Sequence, residues 1–140
     1  MLNEEVRNIM TVDPVVASPG NTINEVTELM TKHALQQIPV VENGKLLGLI
    51  TSYDLWQYQI KDCDDTEEHI RNVMNTNVLV IRPKDKVGTA AELFIDRRFK
   101  TLPVVNLDND LKGVVTAFDV IKHVFKNEYP NPILYKDKLK

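Results

Sequence analysis

Gly48-Leu49-Ile50-Thr51-Ser52-Tyr53-Asp54 returns as Gly113-Val114-Val115-Thr116-Ala117-Phe118-Asp119. Working back from this stretch, Ile38-Pro39-Val40-Val41 returns as Leu102-Pro103-Val104-Val105, Glu28-Leu29 as Glu92-Leu93, and Pro19 as Pro83. Val6-Arg7-Asn8-Ile9-Met10 returns as Ile70-Arg71-Asn72-Val73-Met74. The offset is 64 residues as far as Val105 and 65 from Gly113 onward, so one residue is inserted between Asn106 and Gly113, in a turn that tolerates it. Two copies thus span residues 6–61 and 70–126, with an acidic connector at 62–69 and a tail at 127–140.

Each copy reads as β-α-β-β-α. Thr22 and Glu25 form a capping-box pattern, followed by Ile23, Val26, Leu29 and Met30 at helical spacing. In the second copy Asp85 is the expected cap, with Val87, Ala90, Ala91 and Phe94 on one face. Ile38 to Val41 and Leu46 to Ile50 flank Asn43-Gly44, a strong two-residue hairpin signal because both residues tolerate positive φ. The matching hairpin turns through Asp108-Asn109-Asp110. Val15-Val16 and Val78-Leu79-Val80 are candidate leading strands. A final helix carries Leu55, Trp56 and Ile60 in copy one, and Val120, Ile121, Val124 and Phe125 in copy two. That face is broad, with Tyr58 widening it and Gln59 needing a polar partner or a wet edge. It suits burial against more than one neighbour, including a second chain, or a wide internal core. One copy alone has too little core to be comfortably stable, so the two are expected to pack as a pseudo-two-fold pair with any cleft occurring twice.

Composition bounds the rest. A chain of 140 residues with 43% hydrophobic and 26% charged residues is ordinary globular protein. A net charge of -3 gives no attraction for polyanions, so neither nucleic acid nor an anionic membrane is an expected partner. No apolar run approaches the roughly 20 residues of a membrane span. Met1-Leu2-Asn3-Glu4-Glu5 lacks a signal-peptide pattern, and the lone Cys63 fits a reducing compartment, so a cytoplasmic location is expected.

Thr51 with Asp54, and Thr116 with Asp119, fall where a strand gives way to a helix. One reading is structural: Thr at the cap and an acid three residues later close a capping box worth about 1 kcal/mol. The other is chemical. A helix start offers free N–H groups and the positive end of a dipole to an anion such as phosphate, and an ionised Asp can accept from the two hydroxyls of a ribose.

The ordered set is a Met-Thr or Met-Asn opening, a Pro before the first helix, an apolar-Pro-Val-Val strand, then Gly-apolar-apolar-Thr-x-x-Asp. Occurring twice, it resembles the CBS domain over nearly the whole chain. The resemblance implies a Bateman-type module: two pseudo-symmetric CBS repeats in one α/β (α+β) unit, with clefts that bind adenosine-containing ligands such as AMP, ADP, ATP, NAD or S-adenosylmethionine. It also implies frequent homodimers and a regulated effector, here a separate protein. It makes Asp54 and Asp119 ribose ligands and sets Thr51 and Thr116 near the phosphates. The residues before the apolar-Pro-Val-Val strand, Gln36-Gln37 and Lys100-Thr101, would reach phosphate, and adenine would lie by Val15-Val16 and Val78-Leu79. Lys100 brings charge where copy one has neutral glutamines, which makes copy two the expected stronger phosphate site; the cleft that Lys100 faces is left open. Arg97-Arg98 read as a helix end complementing its dipole.

No cofactor is expected beyond a regulatory nucleotide. His33, His69 and His123 lack paired ligand spacing, and Cys63 stands without a Cys/His cluster for zinc. The connector acids lack the ordered ligands of a calcium loop. No catalytic constellation, Gly-rich phosphate loop or basic-aromatic stripe is visible, so an enzyme is not expected. Two functions remain in view: a ligand-sensing regulatory module, and a structural dimerisation module with empty clefts.

Overall fold

Thr22 and Glu25 start the first helix. The Thr22 hydroxyl accepts the Glu25 N–H at 3.1 Å and the Glu25 carboxylate accepts the Thr22 N–H at 2.9 Å, closing the box. Helix α1 (Ile23–His33) buries Ile23, Val26 and Met30. Strand β1 (Gln37–Glu42) turns through Asn43 (φ 53) and Gly44 (φ 79) into β2 (Lys45–Thr51). Two left-handed residues match the twist of the flanking strands. Helix α2 (Ser52–Asp62) closes copy one. Copy two repeats the order with α3 (Val87–Arg97), β3 (Thr101–Val105), β4 (Leu111–Thr116) and α4 (Ala117–Glu128). This computed structural model describes residues 1–62, 67–97 and 100–129; the connector's residues 63–66, with Cys63, and Arg98 and the tail from Pro130 lie outside them.

Two local expectations are corrected. Val15-Val16 and Val78–Val80 form no strand. The leading β element of each copy is a single parallel bridge, Ala17 beside Val40 and Ile81 beside Val104. Pro19 and Pro83, two residues further on, have no N–H with which to extend the pairing. Asp85 stands two residues before α3, and its Oδ2 accepts the Arg82 N–H at 2.8 Å, as Asn21 Oδ1 accepts that of Ser18 at 2.7 Å. Lys86 occupies the place of Thr22 and has no side-chain oxygen to offer.

The core shows what the repeat alone does not. One cluster joins Ile23, Val26, Ile38, Val40, Ile50 and Leu55 of copy one with Ile70. The other joins Ile81, Val87, Phe94, Leu102, Val115 and Val120 of copy two with Val6. Val6 and Ile70 lie on 3₁₀ turns (Val6–Asn8 and Ile70–Asn72), and both are 0% exposed. The copies therefore exchange their openings. The Val87 N–H donates to Glu4 O (2.8 Å) and the Ile23 N–H to Glu68 O (2.9 Å), so each opening supplies an acceptor for the start of the other copy's helix. Thr11 exchanges two hydrogen bonds with Val114 (2.8 and 3.0 Å), and Asn75 two with Leu49 (3.0 and 2.9 Å). The equivalence runs upstream of 6 and 70. Glu4 accepts the Asn8 side-chain amide and the Glu5 N–H, as Glu68 accepts those of Asn72 and His69. Led by the Asn bond in each case, these hold both carboxyls below their ordinary range.

The hairpin tips meet as well. The Leu46 N–H donates to Asn109 O (3.1 Å), and the Leu111 N–H to Gly44 O (3.0 Å). Lys45 pairs with Asp110 at 2.7 Å, and that hydrogen bond, with one from Asn106, lowers the Asp110 pKa.

Gly48 and Gly113 make the crossing possible. A Cβ on Gly113 would lie 2.6 Å from Thr11 O and 3.0 Å from Met10 Sδ; one on Gly48 would lie 2.7 Å from Asn75 O and 3.1 Å from Met74 Sδ. Backbone at that distance has to shift. Gly113→Ala or Gly48→Ala is expected to cost about 1–3 kcal/mol in urea unfolding. Gly20→Ala, whose Cβ would be 3.6 Å from the Arg71 guanidinium, should stay within about 0.5 kcal/mol of the parent.

Candidate functional site

Both Thr-x-x-Asp junctions are complete capping boxes. The Asp54 N–H donates to Thr51 Oγ1 (3.0 Å) and the Thr51 N–H to Asp54 Oδ2 (3.0 Å). Thr116 and Asp119 do the same at 3.0 and 2.9 Å. Half-buried and held by the helix start, each carboxylate is aimed before anything binds. The crossing sets what it faces. Asp119 Oδ2 also accepts from Thr11 Oγ1 at 3.4 Å, so the acceptor of copy two meets the opening of copy one. Asp119 lines a cavity of about 370 Å³ with Asn8, Met10, Thr11, Lys122 and Lys126. Asp54 lines a smaller one of about 190 Å³ with Tyr58, Lys61, Asn72 and Val73.

A further cavity of about 350 Å³ is shared by the two copies. Copy one contributes Gln36 and Gln37, and copy two Lys100, Thr101, Thr116 and Phe118. Lys100 Nζ donates to Gln36 Oε1 at 3.1 Å. These two residues are equivalents in the repeat, so their meeting marks the pseudo-two-fold axis. Lys100 therefore faces neither cleft exclusively. Main chain fixes both positions: Gln36 O accepts the Ser52 N–H (2.9 Å) and Lys100 O accepts the Ala117 N–H (3.1 Å). Beside them Gln37 Oε1 is buried with no hydrogen-bond partner. Such an acceptor costs about 1–3 kcal/mol, and a ligand donor would relieve it.

The four valine and leucine candidates are spread out. Val15 packs against the first core, whereas Val16 is exposed. Val78 lines a cavity of about 240 Å³ with Leu46, Gly48, Thr76 and Asn109, and it shares another with Leu79, Leu93 and Arg97. Thr11 and Asn109 line two of these cavities, and sequence reading passed over both. The Met-Thr opening was the only signal for Thr11, and nothing in it says that the segment crosses to the other copy. Among the described residues no group of three or more His, Cys, Asp or Glu could hold a metal, and no helix is long and apolar enough to cross a membrane.

The family model of the CBS domain matches residues 6–55 and 70–126. The chain belongs to the CBS domain family. The CBS domain-containing protein YhcV of Bacillus subtilis is 31% identical over 123 residues, 88% of this chain and 87% of its own. Protein MJ1225 of Methanocaldococcus jannaschii is 29% identical over 132 residues, and this chain spans only 47% of its length. Its crystal structure superposes with a TM-score of 0.79 at 28% identity, covering 87% of this chain and 48% of that one. The CBS domain pair of protein MJ0100, crystallised with 5′-methylthioadenosine and S-adenosyl-L-methionine, superposes with a TM-score of 0.76 at 26% identity, covering 89% of this chain and 98% of that one.

In this CBS pair the cap and the buried amide should respond oppositely to substitution. Asp119→Ala removes the capping acceptor and should cost about 1 kcal/mol in urea unfolding of the ligand-free protein. Gln37→Leu removes an unpaired buried oxygen and should leave stability equal or higher.

Proposed function

We propose that this CBS pair is a regulatory module that binds an adenosine-containing ligand in composite clefts between its copies and signals to a separate effector protein. The observation that carries the reading is that two cavities flanking the start of α4 are each lined from both copies. Thr11 of the first opening meets Asp119, while Thr116 shares a cavity with Gln36, Gln37 and Lys100. In this cleft Asp119 accepts from the ribose hydroxyls. The phosphate or carboxylate end of the ligand lies toward Lys100, Thr101, Thr116 and the start of α4, where dipole and charge favour an anion. Thr51 and Asp54 form the equivalent cleft, and the base is placed by Val15-Val16 and by Val78-Leu79. The adenosine compounds held by the MJ0100 pair support this ligand class. A ligand that touches both copies favours one relative orientation of them, and this is the change an effector can read. The single cysteine of the sequence fits work in the cytoplasm.

Calorimetry with adenosine, AMP, ATP, NAD and S-adenosylmethionine tests the reading. Binding of at least one compound is expected, and Asp119→Ala should weaken it about tenfold or more, the loss of one or two charge-assisted hydrogen bonds. Silence across the panel at about millimolar concentration, the range of a contribution near 4 kcal/mol, would favour the structural dimerisation module instead.

The second helices point to a second chain. Leu55 and Val120 enter the cores, yet α2 leaves Tyr53, Trp56 and Ile60 exposed and α4 leaves Phe118, Ile121 and Phe125 exposed. Gln59 is exposed, at the wet edge its amide requires. Aromatic-rich faces repeated by pseudo-symmetry suit a copy of the same chain, so the working unit is proposed to be a homodimer. Light scattering should report a dimer, and Trp56→Glu combined with Phe125→Glu should return a monomer. A monomer mass for the unaltered protein would contradict this.

A further inference from the structure

We propose that the two clefts compete for one cation, so that the chain takes a single phosphorylated ligand although it can take two neutral ones. The inference rests on the adenosine reading above and concerns what happens where the clefts meet. Equivalent residues meet at the pseudo-two-fold axis, and Lys100 Nζ bonds its own equivalent, Gln36, at 3.1 Å. The cavity around them is lined from both copies, and among the described residues that line it Lys100 is the one charged side chain. Each cleft that directs an anionic end toward this cavity therefore draws on the same ammonium group. A second phosphate entering the roughly 350 Å³ space would meet the first with no second cation among the described lining residues to offset it.

The surroundings also select which cleft wins. Thr116 and Ala117, at the start of α4, line the axial cavity, while the corresponding Thr51 and Ser52 are not among its lining residues. The positive end of the α4 dipole and the ammonium thus act together on one side. On that side Gln36 and Gln37 stand across from Thr116, and the unpartnered Gln37 Oε1 offers an acceptor to a protonated phosphate oxygen or a hydroxyl. The phosphorylated ligand belongs on the α4 side, with Thr11 and Asp119 in one cavity and its anionic end toward Thr116 in the axial one. Binding there takes Lys100 from Gln36, which couples ligand charge directly to the contact between copies.

The test is calorimetric stoichiometry on the full chain with adenosine and AMP as probes. Adenosine should fill two sites per chain. AMP should fill one, with any second site at least about 100-fold weaker, a gap of roughly 2.7 kcal/mol. Gln36→Lys supplies a second cation, and the second AMP site should tighten by about tenfold or more. Lys100→Gln makes the axis neutral and matched, and the preference for AMP over adenosine should fall about tenfold or more in the first site. Two equal AMP sites in the unaltered chain would overturn the proposal, as would an AMP-to-adenosine ratio indifferent to Lys100→Gln. If adenosine and AMP both fail to bind, the ligand reading itself falls, and this inference with it. If adenosine binds twice and AMP twice with equal affinity, the ligand reading stands and only the shared cation is wrong.

Discussion

Everything in this molecule depends on the crossing of its two openings. Val6 completes the core of copy two and Ile70 that of copy one, each fully buried. A fully buried aliphatic side chain is worth about 1.5–3 kcal/mol, a large share of the stability of a small domain. Neither copy has a complete core from its own sequence. The crossing also decides the backbone: the strand glycines Gly48 and Gly113 are small because Asn75 and Thr11 carbonyls pass directly over them. The repetition of the Gly-apolar-apolar-Thr-x-x-Asp stretch thus has two separate causes. Its Gly admits the other copy's opening, while its Thr and Asp close a helix start.

A second constraint follows from bringing duplicated segments together about an axis. A residue on the axis meets its own equivalent, so a copy that had not diverged would set like against like. Here the axial pairs differ and are complementary. Lys45 meets Asp110 at the hairpin tips, and Gln36 meets Lys100 near the helix starts. Two lysines at either place would repel. The Lys45–Asp110 ion pair lines none of the cavities described above, which makes it structural. The Gln36–Lys100 pair lines a cavity shared by both copies, so a ligand of the proposed class would meet this inter-copy contact directly.

Much of this was legible in the sequence. The 64-residue offset, the Thr22–Glu25 box, the Asn43-Gly44 turn and the Thr-x-x-Asp junctions are local signals, and each formed where its chemistry placed it. Asp85 failed as a cap because helix boundaries shift by a residue or two, and its carboxylate found a turn N–H first. The leading strands shrank to single bridges because prolines follow them. The crossing was not legible: Val6 and Ile70 look like members of their own copies, and only packing shows otherwise. For the same reason the partner of Asp119 could not be read, since Thr11 lies more than a hundred residues away.

The claim that the copies form one interlocked unit is most directly tested by unfolding a protein damaged in copy two alone while watching copy one. Trp56, the only tryptophan, sits on α2 of copy one and is partly exposed. Leu102→Ala removes a fully buried side chain from the core of copy two, a change that typically costs about 2–5 kcal/mol. Urea unfolding of Leu102→Ala followed by Trp56 fluorescence and by far-ultraviolet circular dichroism should give one transition, shifted equally in both signals. A Trp56 transition that stays at the parent midpoint while the dichroism divides into two steps would contradict the account.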